Sequence, residues 1–404
     1  MRVRIHKGIA RGDVAAPPSK SMAHRLLMAA AMCEGESLID GISDCDDVIA
    51  TEECLTALGA SVKHDGSRVR VVGIDPLKAR ASAPLDCHES GSTARFIIPP
   101  AMLSGHELTL VGRGRLMSRP MSVYEEIFSQ KDLFFQHGAD CINLRGPLLS
   151  GEYDIPGDVS SQFISGLIFA LPLASGDSII KIIPPFESRP YVDMTLDAVR
   201  KFGISVFWQD RYTLKIPGGQ RYTPTDSTVE GDFSGAAFID ALNLFGGEVR
   251  LLGLNPDSYQ ADKVYGEHFR ELTRGACEIN LSDSPDLAPI LFTIAAAKFG
   301  ARFTGTARLR IKESDRCEAM ATELKKFGAS VTVLENEVII SPAKLYKPSE
   351  PICAHNDHRI VMALAVLLTQ FGGEIVGAEA VKKSYPDFFR DLRALGIGVD
   401  EYDV

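Results

Sequence analysis

The sequence predicts an α/β protein of two similar domains, each made of three copies of one repeat. Three observations carry that prediction. Six apolar stretches each open on a small polar cluster and close near a glycine. Shorter amphipathic segments follow them and run through a glycine into a β-like run. The pairs recur at about one sixth of the 404 residues, and self-similarity at a fixed spacing is a fold-level signature.

The apolar stretches are SKSMAHRLLMAAAMCEG (19–35), SGSTARFIIPPAMLSG (90–105), SSQFISGLIFALPLASG (160–176), DFSGAAFIDALNLFGG (232–247), PDLAPILFTIAAAKFG (285–300) and NDHRIVMALAVLLTQFGG (356–373). Their Ala, Leu and Ile content predicts buried helices, with Ser and Asp as N-caps and glycines as C-caps. The second elements are LTALGASVKH (55–64), FFQHGADCINL (134–144), AVRKFGISVFW (198–208), ELTRGACEINL (271–281), ELKKFGASVTVL (324–334) and DLRALGIGVD (391–400). Each predicts a helix closed by glycine and then a strand. The polar stretch RYTPTDSTVEGDF (221–233) lies just past the midpoint and reads as a domain crossing, with a long surface loop as the alternative.

Composition narrows the function. Hydrophobic residues make up 45% and charged residues 24%, as in an ordinary globular protein. A net charge of −10 argues against a nucleic-acid partner. It still allows a basic pocket for acidic substrates. No apolar run reaches the roughly 18 residues a membrane span needs. The start, MRVRIHKGIARGD, has no apolar core, so no signal peptide is expected and a cytoplasmic location is. Eight cysteines form no CxxC pair and no Cys/His zinc spacing, which predicts reduced, mostly buried thiols and no metal.

The polar helix starts carry the chemistry. A helix N-terminus exposes four unbonded N–H groups and a partial positive charge. Several together suit phosphate or carboxylate. The residues at these starts fit that use: Ser19, Lys20 and Ser21; Ser90, Gly91 and Ser92; Ser160, Ser161 and Gln162; Asp357, His358 and Arg359. Capping explains any one cluster; several clusters with cations in one chain favour a ligand. Further cations stand in polar motifs: Arg119 before Pro120, Lys383 in KKSYPDFF, and Lys312 and Arg316 in IKESDR beside Glu313. The i, i+4 spacing would place Lys312 and Arg316 on one helix face. Asp286, at the mouth of an apolar helix, is either an N-cap or a base in dry surroundings. His358 reads as a structural hydrogen bonder.

Nine segments then resemble one family in order, from residue 17 to residue 389: PPSKSMAHR, ESGSTARF, RLMSRP, DVSSQFISGL, SRPYVDMTL, SPDLAPILFTIA, IKESDRCEAMATELKKFGA, HNDHRIVMAL and KKSYPDFF. The family is the EPSP synthases, the 3-phosphoshikimate 1-carboxyvinyltransferases of aromatic amino acid biosynthesis. The resemblance implies the inside-out α/β barrel of the enolpyruvyl transferases. Each domain holds three βαβαββ-type units, with the active site in the cleft between domains. It implies residues 16–226 as one domain and residues 1–15 with 227–404 as the other, the chain crossing twice.

The implied reaction joins the 5-hydroxyl of shikimate 3-phosphate to C2 of phosphoenolpyruvate while C3 gains a proton; phosphate then leaves. No cofactor or metal is implied, the partners are the two small-molecule substrates, and a monomer is expected. By motif, Lys20, Ser21 and Arg25 resemble the first substrate-binding element. Ser160, Ser161 and Gln162, with Ser188 and Tyr191, resemble the shikimate 3-phosphate site, which Asp286 and Lys312 complete. Lys20, Gly91, Arg119, Gln162, Arg316, Arg359 and Lys383 resemble the phosphoenolpyruvate site. Asp286 resembles the base at the 5-hydroxyl, and Glu313, with Lys383, the acid at C3.

Glu89 and Arg308 stand where the family often has Asn, and Phe96 where it often has Pro. Glyphosate, the family's inhibitor, should compete with phosphoenolpyruvate. Two rival readings differ at named residues. A UDP-N-acetylglucosamine enolpyruvyl transferase would carry Cys where Arg113 stands, and a non-catalytic repeat scaffold would not need the acid and cation set.

Overall fold

The computed structural model describes residues 1–402. The chain forms two compact units, Lys20–Glu230 and Met1–Ser19 with Gly231–Val404. Each has its own apolar core. The described residues form six small sheets, five of four strands and one of two.

In the Lys20–Glu230 unit the first copy holds α1 (Lys20–Ala31), strand Glu36–Asp40, α2 (Asp46–Ala57) and the hairpin Ser61–Asp65/Arg68–Val72. Its leading strand comes from the far end of the unit, where Ser227–Thr228 runs parallel to Ile39–Asp40. The second copy is strand Leu85–Asp86, α3 (Gly91–Ala101), strand Glu107–Val111, α4 (Ser122–Ser129) and the hairpin Phe134–His137/Cys141–Arg145. The third is strand Glu152–Pro156, α5 (Ser161–Ala170), strand Ser178–Ile183, α6 (Arg189–Lys201) and strands Phe207–Trp208 and Thr213–Ile216. In all three sheets a parallel pair is extended by antiparallel strands.

The helices that lead each copy are buried along almost their whole length, so apolar residues fill most of their faces. Pro99 and Pro100 lie inside α3. Pro99 lacks the N–H that would reach the Arg95 carbonyl. Tyr124 of α4 replaces it, donating to Arg95 O at 2.6 Å. Gly166 of α5 makes room: a Cβ there would lie 2.2 Å from Tyr124 Oη and 2.3 Å from Arg95 O.

In the other unit α7 (Phe233–Asp240), strand Glu248–Leu252 and α8 (Tyr265–Arg274) form a short copy. Its sheet is only Arg11–Ala15 parallel to Glu248–Leu252. The next copy is strand Cys277–Asn280, α9 (Ala288–Ala297), strand Ala301–Thr304, α10 (Arg316–Lys326) and the hairpin Ser330–Val333/Glu337–Ser341. The last is strand Ile352–Cys353, α11 (His358–Phe371), strand Gly373–Val376, α12 (Phe388–Ala394) and strand Val399–Tyr402. Arg2–Ile5 lies between those last two strands and pairs antiparallel with both.

One expected element is different. The glycine in residues 134–144 predicts helix then strand, but both halves are strands. The helix of that copy ends earlier, at Ser129, and Asp132 turns the chain at φ 55°. Phe135 and His137 are then half-buried while Phe134 and Gln136 are exposed, the period of a strand. Gly138 closes a hairpin rather than a helix. The stretch 232–247 also leaves α-helical form at Asp240, continuing as a 3-10 turn to Phe245 before Gly246 at φ 92°.

Candidate active site

In the Gly231–Val404 unit three predicted cations, Lys312, Arg316 and Arg359, meet around one carboxylate, Asp286. Asp286 sits in a short 3-10 turn ahead of α9, with its side chain 17% exposed. It is not an N-cap; Leu287 holds that place, and Asp286 faces cations instead. Arg316 Nη1 donates to Asp286 Oδ1 at 2.9 Å, Arg359 Nη2 to Oδ2 at 2.9 Å, and Lys312 Nζ to Oδ1 at 3.4 Å. Burial alone would push the Asp286 carboxyl up, but Arg359, Lys312 and Arg316 hold it well below the usual carboxylate range.

The cations are themselves set by neighbours. Arg316 is 1% exposed and also reaches Glu313 Oε2 at 2.8 Å and Asp357 Oδ2 at 2.8 Å. Burial opposes its charge, but Asp357, Glu313 and Asp286 raise its proton affinity above the ordinary value. Burial lowers Lys312 to about 8 against the pull of Asp286. Lys312 and Arg316 do not share a helix face. Lys312 is extended and α10 begins only at Arg316, because Asp315 caps it by accepting from Glu318 N. Lys383 Nζ donates to Asn356 O at 2.8 Å, one residue before the cap of α11. That cap is Asp357, which accepts from Arg359 N at 3.0 Å.

In the Lys20–Glu230 unit the predicted residues form linked groups. Lys20 Nζ pairs with Asp47 at 2.6 Å, joining the starts of α1 and α2. Arg25 is 3% exposed and collects Ser21 and Tyr191: its Nη1 donates to Ser21 O at 2.6 Å and its Nη2 to Tyr191 O at 2.9 Å. Its Nε donates to Thr195 Oγ1 at 2.8 Å, and its guanidinium lies 5.0 Å from the Phe96 ring centre. Burial lowers it to about 10, so it stays charged at neutral pH. His24, one residue earlier, is driven well below the usual imidazole range by burial and by Lys20 and Arg25, and meets Thr51 Oγ1 at 2.8 Å.

Ser160 caps α5 by accepting from Gln162 N, and Ser161 is buried beside it. Gln162 accepts from Arg95 Nη1 at 2.7 Å and donates to Ser92 Oγ at 2.8 Å. Arg95 also donates to Pro120 O at 2.9 Å, so it pins the residue after Arg119. Arg119 lies over Gly91, where a Cβ would be 2.6 Å from Nη1. Ser188 holds φ 58° just ahead of α6.

Asp47, Arg95 and Ser234 join these clusters although no motif singles them out. Asp47 and Arg95 are positioned by contacts far off in sequence. Ser234 accepts from Arg359 Nη1, a residue in a different copy. The departures also have places. The Glu89 carboxylate packs on Gly114, and Arg308 is buried in the turn Ala307–Ile311. Arg113, where the rival family would carry Cys, is ion-paired with Asp86 at 2.6 Å. Among the described residues no group of three or more His, Cys, Asp or Glu could hold a metal ion, and no helix is long and apolar enough to cross a membrane.

The family model of EPSP synthase (3-phosphoshikimate 1-carboxyvinyltransferase) matches residues 6–392. The chain belongs to the EPSP synthase family. A 3-phosphoshikimate 1-carboxyvinyltransferase of Clostridium perfringens (strain 13 / Type A) is 38% identical over 408 residues, covering 96% of each chain. One from Clostridium acetobutylicum is 39% identical, covering 100% of this chain and 99% of that one. A solved EPSP synthase of Acinetobacter baumannii superposes with TM-score 0.80 at 22% identity, covering 100% of both chains; at that identity it speaks for the fold.

Proposed function

We propose that this EPSP synthase family member transfers the enolpyruvyl group of phosphoenolpyruvate to the 5-hydroxyl of shikimate 3-phosphate, with the clusters of both units serving one reaction. The carrying observation is Asp286, a carboxylate held between Arg316, Arg359 and Lys312. In this reading the acidic substrates engage those cations, and Asp286 is released from their hold. Its burial then dominates and raises its proton affinity, so it becomes a base only when the site is filled. The 5-hydroxyl oxygen bonds to C2 as Asp286 takes its proton and Glu313, with Lys383, protonates C3. Loss of phosphate and of a C3 proton completes the transfer.

Planar Arg119, Arg316 and Arg359 suit the carboxylate and phosphate of phosphoenolpyruvate, with Lys20, Gly91 and Gln162. Ser160, Ser161, Gln162, Ser188, Tyr191, Arg25, Ser21 and Lys20 take shikimate 3-phosphate, and Lys312 its hydroxyls. We read the units Lys20–Glu230 and Met1–Ser19 with Gly231–Val404 as the two transferase domains, and the protein as a cytoplasmic monomer. The named relatives favour shikimate 3-phosphate over UDP-N-acetylglucosamine as acceptor.

Purified protein should release phosphate from phosphoenolpyruvate when shikimate 3-phosphate is added. Release with UDP-N-acetylglucosamine instead would overturn the assignment. A second test uses Gly91→Ala. The new methyl would displace the flexible end of Arg119, not backbone. Thermal stability should hardly change, while KM for phosphoenolpyruvate should rise roughly tenfold, the size of one charge-assisted hydrogen bond. Steady-state kinetics beside a melting curve reads both.

A further inference from the structure

Trp208 is the single tryptophan of the sequence, and the reaction as described makes no use of it. It stands on the short strand Phe207–Trp208, paired with Leu214 and Lys215 of the neighbouring strand. Its half-buried ring meets the stretch that leads into α6 on both sides of Ser188. The ring centre of Phe186 lies 5.8 Å from that of Trp208, with the planes inclined at 51°. The Arg189 guanidinium lies 4.4 Å from the Trp208 ring centre, a cation–π contact. The indole Nε1–H donates to Asp193 Oδ1 at 2.8 Å, one turn into α6, and Asp193 Oδ2 faces Arg189 Nε at 3.7 Å. One side chain therefore grips Phe186, Arg189 and Asp193 at once. Between the first two sits Ser188, buried and at φ 58°. A left-handed backbone is unfavourable for serine and persists only where the surrounding structure over-determines it.

We propose that Trp208 is a positioning residue for shikimate 3-phosphate: by gripping Phe186 and Arg189 it holds Ser188 in the left-handed conformation that the substrate meets. This rests on the reading of Ser188 as part of that substrate's site. Backbone bonds on either side, Glu187 N to Gly157 O and Tyr191 N to Ser188 O, both at 3.1 Å, locate the turn that the ring then clamps. With the grip in place, the substrate binds a conformation that is already populated. With the grip loosened, Ser188 relaxes toward ordinary φ, the competent fraction falls, and apparent affinity falls with it. Bound substrate then holds the turn itself, so the chemical step is little changed. The effect of Trp208 therefore falls on the KM of one substrate.

The test uses the full chain carrying Trp208→Leu, which stays apolar but removes the cation–π contact and the indole N–H. KM for shikimate 3-phosphate should rise roughly tenfold, the worth of a partly desolvated cation–π contact, while kcat and the KM for phosphoenolpyruvate hold. Trp208→Phe keeps a ring beside Arg189 and should recover most of the loss. A merely structural ring would not single out one substrate. A normal KM for shikimate 3-phosphate in Trp208→Leu overturns the proposal, and so does an equal rise in both KM values. If Trp208→Leu fails to fold, Arg189→Met carries the test: it takes the charge off the ring and should raise the same KM, and a normal KM there overturns the proposal. Ser188→Ala separates the two readings. If its KM for shikimate 3-phosphate is raised while that of Trp208→Leu is normal, the grip alone fails. If Ser188→Ala is itself normal, Ser188 leaves the site and the proposal falls with that reading.

Discussion

Asp286→Ala should cut turnover by roughly 10²–10⁴-fold, the usual contribution of a positioned base. Shikimate 3-phosphate binding should survive. Removing one negative charge from among Arg316, Arg359 and Lys312 leaves those cations freer to meet substrate anions. The substitution therefore separates binding from chemistry, and equilibrium binding beside single-turnover kinetics reads each. The pH profile adds a sign. In the empty site the carboxyl is held well below the usual range, with burial opposing Arg359, Lys312 and Arg316. Substrate anions compete for those three charges. The acidic limb of kcat, which reports the filled site, should therefore lie at higher pH than the limb of kcat/KM, which reports the free enzyme. Turnover near normal in Asp286→Ala would remove Asp286 from the role of base.

The helix starts were legible because burial leaves little freedom. A largely apolar, buried helix needs a reason for polar residues at its mouth, and Ser90, Ser160 and Asp357 each cap one by accepting from a backbone N–H. Glycine punctuation worked where the glycine adopts positive φ after a helix, as at Gly59, Gly203, Gly328 and Gly396. It failed at Gly138, because a short apolar run with glycine fits a hairpin as well as a helix end. Local spacing also failed for Lys312 and Arg316, whose common target is reached from an extended residue and a helix start. What remained hidden is non-local. Nothing near Ser234 in the chain announces Arg359, and nothing near Arg2–Ile5 announces its two partner strands from the far end.

Arg316→Ala should be the more damaging change to the fold itself. The guanidinium touches three carboxylates, and one of them, Asp357, is fully buried. Asp357 is also the cap of α11, the helix that carries Arg359. Without Arg316, Asp286, Glu313 and Asp357 lose a shared counter-charge, and breaking a buried pair this way costs about 3–5 kcal/mol. Denaturant unfolding should show a lower midpoint with little change in slope. Arg316→Lys should recover only part of the loss, since one ammonium cannot fork to three carboxylates. The deficit should also depend on pH. The depressed Asp286 carboxyl gives stability that is present above its ordinary 3.8 and lost as pH falls through the lower folded value. Some of that stability comes from Arg316, so the gap between the original protein and Arg316→Ala should be widest near neutral pH. It should narrow as the carboxylates protonate in acid. A gap of the same size at neutral and acid pH would show that lost packing, rather than lost charge balance, is what Arg316 supplies.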